Sequence, residues 1–337
     1  MNTTPKQLGL SMPAEWEIHS AVWLAWPFDQ TTFPNRMDRV EKSYCKIFKA
    51  LEKSERVELL VLNDDTKSSV EKKLQDYNID LKQITFHVVN YADVWTRDFG
   101  PTFLNNNDWV KWEYNAYGKS DDPYFTDLLK DNLVFNNLKT PGNKFSPGIV
   151  MEGGSIEVNG QGTVMTTEQC LLNPNRNPKL SKNEIEKYLK GYLGVEKIIW
   201  LKKGLINDHT DGHIDDVARF VAEDKILCTY EDDISDENYE ILKSNFQILK
   251  KEPFELITIP MPHMKYGDGT KAPVSYVNFY IANKVVLVPI FNDPNDEKAL
   301  KIIQNCFPDR KVVGIDASDL IYGGGTIHCM TQQQPNF

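Results

Sequence analysis

Apolar and polar positions along this chain alternate in short bursts separated by polar turns. Four stretches read as two β-rich runs joined by such a turn: PTFLNNNDWVKWEY, SIEVNGQGTVMTT, VARFVAEDKILCTY and VNFYIANKVVLVPIF. Asn, Gly and Asp between β-branched or aromatic runs are hairpin signals, because these residues accept the backbone that tight turns need. The four stretches begin at Pro101, Ser155, Val217 and Val277, spaced by 54, 62 and 60 residues. A supersecondary unit recurring at near-constant spacing predicts an internal repeat.

The period changes in the segments SKNEIEKYLKGYLG, DENYEILKSNFQILKK and NDEKALKIIQNCF. Each is amphipathic at helical spacing and has Ser, Asp or Asn near its start. Each leads into an apolar run, VEKIIWL, FELITIP or KVVGIDA. The repeating unit is therefore strand, strand, helix, strand. The N-terminus offers a further unit with one clear strand, AVWLAWP, then the helical DRVEKSYCKIFKALEKS and the strand VELLVLN. Its missing partner is expected at the far end of the chain, in GTIHCMT. A ring of units closed by that last strand removes an exposed sheet edge.

The repeat also locates candidate chemistry. Ahead of each hairpin lies a loop of unusual polarity: DVWTRDFG, VMEGGS, NDHTDGHIDD and HMKYGDGTKAPVSY, with LIYGGGT ahead of the last strand. Related units place equivalent loops at one end of the ring, where they converge, and loops on a rigid scaffold carry function.

Charge narrows the partners. With 38 basic and 48 acidic residues the chain carries a net charge of −10. Nucleic-acid binding, which calls for a basic face, is therefore not expected, whereas a cationic substrate is compatible. The five cysteines are odd in number and lack CxxC spacing, which reads as free thiols in a reducing compartment. MNTTPKQLGLSMPAEW has no basic start or apolar stretch of a secretory leader, and no run is long enough for a membrane helix. A cytoplasmic protein with no membrane partner is expected.

Among the thiols, Cys329 stands out. Cys45 and Cys306 fall in helical apolar patterns, and Cys170 and Cys228 in strand-like runs, where a cysteine acts as a small hydrophobe. Three glycines precede Cys329, and such a run lets backbone approach a ligand closely. A nucleophilic thiol needs a base or cation nearby. His328 is adjacent, but neighbours on a strand face opposite ways, so a structural part is expected for it. His213 and Asp215 in GHIDD lie two apart and share a face, which suits a proton shuttle beside a carboxylate. His209 and His213 are four apart, yet Gly212 and the lack of an H-E-x-x-H glutamate weaken a zinc reading. Asp98 and Glu152 occupy equivalent loops. Carboxylates converging on one thiol repel unless a cation lies between them, and a planar guanidinium fits that need. Trp95 offers a face to such a cation.

These residues resemble the agmatine deiminases and bacterial peptidyl-arginine deiminase-like proteins. The likeness is carried by MPAEWEIHSAVWLAWP, VWTRDFGP, MEGGSIEVNGQGTVMTTEQCLLNPNRNP, GHIDD, SYVNFYIAN and GGGTIHCMTQQQP, which span nearly the whole chain. The resemblance implies the pentein architecture, a five-bladed pseudo-symmetric α/β propeller, as one domain over residues 1–337. It implies Cys329 as nucleophile, His213 as catalytic histidine and Glu152 as its glutamate. It further implies guanidinium-binding Asp98 and Asp215, Trp95 near the substrate, and Asn278 lining the site. The implied substrate is a small guanidine, agmatine, hydrolysed without metal or organic cofactor; relatives often form homodimers. Two features depart from the family pattern. Asp211 and Asp216 stand where many agmatine deiminases read N-G-H-x-D-N, and Tyr117 where a FNAWG-like segment carries Trp. Alternatives from the same residues are a peptidyl-arginine or free arginine deiminase, an amidinotransferase, a guanidine- or polyamine-binding protein without catalysis, and a metal hydrolase using His209 and His213.

Overall fold

A computed structural model describes residues 3–337. Its first strand, β1 (His19–Ala25), runs through helix α1 (Met37–Leu51) to a parallel partner, β2 (Arg56–Val61). Val40, Tyr44, Ile47, Phe48 and Leu51 of α1 are buried, the i, i+4, i+7 spacing that gives a helix one apolar face. Helix α2 (Asp64–Asp76) then crosses to β3 (Ile84–Val88), also parallel.

Four sheets follow on a single plan. The one-turn helix α3 (Thr96–Phe99) leads into β4 (Thr102–Phe103) and β5 (Trp109–Val110), which are antiparallel; α4 (Pro123–Leu128) crosses to a parallel β6 (Lys144–Phe145). The next hairpin is β7 (Glu157–Val158) and β8 (Thr163–Thr167), followed by short α5 (Glu168–Leu171), α6 (Lys182–Leu193) and parallel β9 (Lys197–Leu201). Helix α6 is delimited by a Ser181–Glu184 capping box and by Gly194 in left-handed backbone. Strands β10 (Ala218–Ala222) and β11 (Lys225–Tyr230), helix α7 (Tyr239–Leu249) and β12 (Glu255–Pro260) repeat the plan. So do β13 (Tyr280–Ile281), β14 (Val285–Ile290), α8 (Asp296–Cys306) and β15 (Lys311–Asp316). Last, β16 (Gln332–Pro335) pairs antiparallel with β1. The two ends of the chain thus complete the first sheet, and the strand–strand–helix–strand unit is present in all five sheets.

Three expectations are corrected. The sheets are five separate hydrogen-bonded units, so no continuous sheet closes on itself. The closing strand is Gln332–Pro335, while residues 326–331 form a turn. That segment cannot pair as a strand because its polar atoms are already engaged. His328 N donates to Asn278, and Thr331 donates from N to His328 O and from Oγ1 to Ile327 O. The glutamines that follow make a buried strand because their amides are met: Gln334 Oε1 accepts from Trp23 Nε1 at 2.9 Å, and Gln333 Oε1 from Arg97 Nη1 at 2.6 Å. Finally, Cys170 sits in α5 and not in a strand. No helix among the described residues is long and apolar enough to cross a membrane.

Candidate active site

The polar approach loops fold into tight turns that meet. Asp98 lies in α3, Glu152 directly precedes a 3-10 turn at Gly153–Ser155, and Asp215 lies in a 3-10 turn at Ile214–Asp216 capped by His213. Helix α3 is tied to the turn that carries the thiol: Thr96 Oγ1 donates to Met330 O at 2.9 Å, and Arg97 N to Cys329 O at 3.1 Å. Gly154 shows how closely the loops approach. A Cβ there would stand 2.6 Å from His213 Nδ1, 2.9 Å from Asp98 Oδ1 and 3.0 Å from Asp215 Oδ2. Gly325 does the same between Trp95 and the thiol, since its Cβ would meet the Trp95 ring at 2.7 Å and Cys329 Sγ at 3.1 Å. The glycines are there because no side chain fits.

The seven side chains singled out from the sequence are all buried. Cys329 Sγ accepts from Asn278 Nδ2 at 3.2 Å and lies 4.0 Å from Asp215 Oδ2. Asn278 also holds the turn, because its Oδ1 accepts from Thr326 Oγ1 at 2.6 Å and His328 N at 3.0 Å. Asp98 accepts from Gly154 N at 3.0 Å and from the Tyr117 hydroxyl at 2.9 Å. His213 Nδ1 is 3.7 Å from Asp98 Oδ1, and its Nε2 is 3.9 Å from Glu152 Oε2. Neither His213 nitrogen has a hydrogen-bond partner in the protein, nor do Asp215 Oδ1, Glu152 Oε2 or Trp95 Nε1. Buried polar atoms are nearly always paired, so several orphans in one cluster mark a place for a polar ligand.

Five contributors were not singled out as site residues. Arg176 donates from Nε to Glu152 Oε1 at 2.8 Å, from Nη1 to Asp211 Oδ2 at 2.5 Å and from Nη2 to Thr210 O at 2.7 Å. Asp211, one of the residues that depart from the family pattern, is therefore a counter-ion for Arg176, in left-handed backbone (φ 65°) that aspartate tolerates. Tyr117, also a departure, binds Asp98 and stands edge-on to His213 with ring centroids 6.0 Å apart. His328 lies between two carboxylates, with Nδ1 at 2.7 Å from Asp215 Oδ2 and Nε2 at 2.8 Å from Glu15 Oε2. A carboxylate at each ring nitrogen fixes the plane of the imidazole. The structural part expected of His328 is therefore specific: it orients Asp215. The signal for Glu15 and Arg176 was their place in MPAEWE and NPNRNP, inside the longest motifs. His209 turns to Tyr117 and Phe125, with centroids 5.1 and 5.9 Å away.

The electrostatics are one-sided. Burial, then the charges of Asp215, Asp216 and Asp98, push the Cys329 thiol well above the ordinary cysteine range. Burial works against the His213 cation, but Asp98, Cys170 and Glu152 carry it well above the usual histidine value. Burial lifts Asp98 to about 6 despite His213. Glu152, buried as well, is held at about 2 by Arg176 and His213. Asp215 stays low despite burial because His328 bonds to it. At neutral pH the resting cluster is thus a neutral thiol, an imidazolium and ionised carboxylates. A cation placed against Asp98 and Asp215 favours the thiolate, and the imidazolium is ready to give a proton.

A buried thiol, an imidazole and paired carboxylates, set in the turns of five like α/β sheets, define a protein built for nucleophilic work on a cationic group. The sequence matches the family described as Porphyromonas-type peptidyl-arginine deiminase over residues 11–335, and the chain belongs to that family. A Legionella pneumophila (strain Philadelphia 1) relative with a provisional agmatine deiminase name is 42% identical over 349 residues, covering 99% of this chain and 97% of the relative. The structure of an Enterococcus faecalis agmatine deiminase superposes with a TM-score of 0.89 at 33% identity, covering 99% of this chain and 98% of that one. A Campylobacter jejuni agmatine deiminase gives 0.85 at 28% identity, covering 97% and 96%.

Proposed function

We propose that the protein hydrolyses the guanidinium group of agmatine to N-carbamoylputrescine and ammonia through a covalent Cys329 intermediate. The observation that carries this is the meeting of Asp98, Asp215 and His213 around Gly154, with the Cys329 thiol 4.0 Å from Asp215 and unpartnered polar atoms on His213, Asp215 and Glu152. The names of the Enterococcus and Campylobacter relatives supply the substrate.

Asp98 and Asp215 hold the guanidinium nitrogens and set its carbon against Cys329. The bound cation offsets the carboxylate charge around the thiol, which loses its proton to solvent. The thiolate adds to the guanidinium carbon, His213 protonates one departing nitrogen, and ammonia leaves. An S-alkylthiouronium remains on Cys329 and His213 is neutral. His213 then takes a proton from water as the oxygen adds to that carbon. The carbon–sulfur bond breaks, and the ureido product leaves with its oxygen proton released. Glu152, itself held by Arg176, positions His213 and stabilises its cation, while Asn278 holds the sulfur. The electrophile is already a cation, so the carboxylates do the work that donors do at an oxyanion.

The five sheets stand as blades about a common axis in this reading, and the whole chain, 1–337, works as one domain in the cytoplasm. The buried thiol supports a small substrate over a peptide, and Arg97 is unavailable to a free arginine carboxylate because it bonds Glu15 and Gln333. Ammonia release from purified protein given agmatine, free arginine or a blocked arginine peptide tests the proposal. Turnover of agmatine in preference to the other two is expected; preference for the peptide, or no release at all, overturns it.

A further inference from the structure

A cavity of about 540 Å³ opens beside the thiol turn. Its inner wall is Gly323, Gly324 and His209. Two contacts tie that wall to the reacting groups. Gly324 packs on the His209 ring, which stands edge-on to Tyr117, whose hydroxyl bonds Asp98. On the other side Gly325 follows Gly324 directly and touches both Trp95 and Cys329 Sγ.

The rest of the wall is aromatic, with Tyr124, Phe125, Tyr266 and Tyr322, and ends at the carboxylate of Asp268. The hydroxyls of Tyr124 and Tyr266 are engaged elsewhere, with Asp93 and with Ile321 O. These two residues therefore offer the cavity ring surface. Asp268 is exposed and accepts from Thr270 N at 2.9 Å within its own turn. No lysine or arginine lines the cavity. Two cations that lie over its aromatic wall have partners: Arg36, stacked on Tyr322, pairs with Asp319, and Lys119, over Phe125, pairs with Asp211. Aromatic faces with one carboxylate attract a primary ammonium and repel a carboxylate.

Building on the proposed deiminase activity, we propose that this vestibule is the subsite for the ammonium end of an aliphatic guanidine, with Asp268 as its counter-ion. The guanidinium lies against Asp98 and Asp215, and the alkyl chain passes Gly324. The vestibule thereby selects an amine-tailed guanidine over one ending in a methyl group or an amino-acid carboxylate.

The test compares agmatine with butylguanidine, which has the same chain without the amine. Steady-state kinetics of the full chain and its Asp268→Asn variant give the first readout. Binding of both compounds to the Cys329→Ser protein, with and without Asp268→Asn, gives the second and does not depend on turnover. The unaltered protein is expected to prefer agmatine, and Asp268→Asn to cut that preference about three- to tenfold through KM and Kd, with kcat for agmatine little altered. Equal effects on the two compounds, or no effect on either, overturn the vestibule. Selective binding without ammonia release leaves the vestibule standing and overturns the deiminase reading.

Discussion

Two buried polar clusters lie side by side in this protein, and His328 belongs to both. In the first, charges are matched: Glu15 sits 3.2 Å from Arg97 and 3.0 Å from Arg219, and Arg219 is 2.8 Å from Glu157. In the second, around Cys329, His213, Asp215, Glu152 and Trp95, five polar atoms have no partner in the protein. The first ties distant parts of the chain, the segment before β1, helix α3, β7 and β10. The second sits where the glycine-bearing turns meet. Arg219 Nη2 in the first cluster also lacks a hydrogen bond, but it lies 3.0 Å from the Glu15 carboxylate. The difference separates holding from acting: a buried charge matched by an opposite one supports the fold, and a group of atoms left open is set for a ligand.

The largest effect that separates them is chemical. Cys329→Ser should lower agmatine turnover at least about a thousandfold, as loss of a nucleophile does, with the melting temperature within a degree or two. Ammonia release and a thermal melt on the same preparation check this. Turnover within tenfold of the original would end the covalent mechanism.

Glu15→Gln should do the reverse. The charge it removes leaves Arg97, Arg219 and His328 facing one carboxylate fewer, and breaking a buried pair costs about 3–5 kcal/mol. Denaturant unfolding should show that loss. Turnover of the still-folded fraction should fall less than about tenfold, because Asp215 keeps its bond to His328. A stability change below 1 kcal/mol would remove the distinction between the clusters.

The two clusters were not equally legible in the sequence. The open one was found because its members recur at matching places ahead of each hairpin, so the repeat that specifies the sheets also specifies the site. The paired one was missed because a single Glu or Arg reads as surface until its partner is known. Glu15 and His328 stand 313 residues apart. The repeat itself was readable from hairpin turns and helical stripes, even where β4 and β5 shrink to two residues each. The thiol turn misled for a physical reason. T-I-H-C-M alternates like a strand, but Asn278, from β13's approach loop, takes the hydrogen bonds a strand would use.

A smaller effect reads the open cluster by pH. Asp98 titrates at about 6 in the free protein, and its protonated form cannot hold a cation. The thiol must also lose a proton, so kcat/KM, which reports the free enzyme, should already decline with falling pH and should steepen by about a further tenfold per unit below that value. Tyr117→Phe removes a hydrogen bond that favours the Asp98 carboxylate, so the acid limb should move to higher pH, by about half a unit to one unit. A limb that stays in place, or moves lower, would show that Asp98 does not set it.

The smallest effect fixes the scale of the comparison. Ser181 caps α6 on the outer layer, accepting from Glu184 N and donating its own N–H to that glutamate. Neither residue touches either cluster. Ser181→Ala should therefore cost about 1 kcal/mol in denaturant unfolding, the usual loss of an N-cap, and leave kcat and KM for agmatine unchanged. A cost equal to that of Glu15→Gln would mean that buried pairing adds nothing beyond an exposed cap. A change in kcat would mean that the outer helices set the site's geometry, so that holding and acting are not separable in this fold.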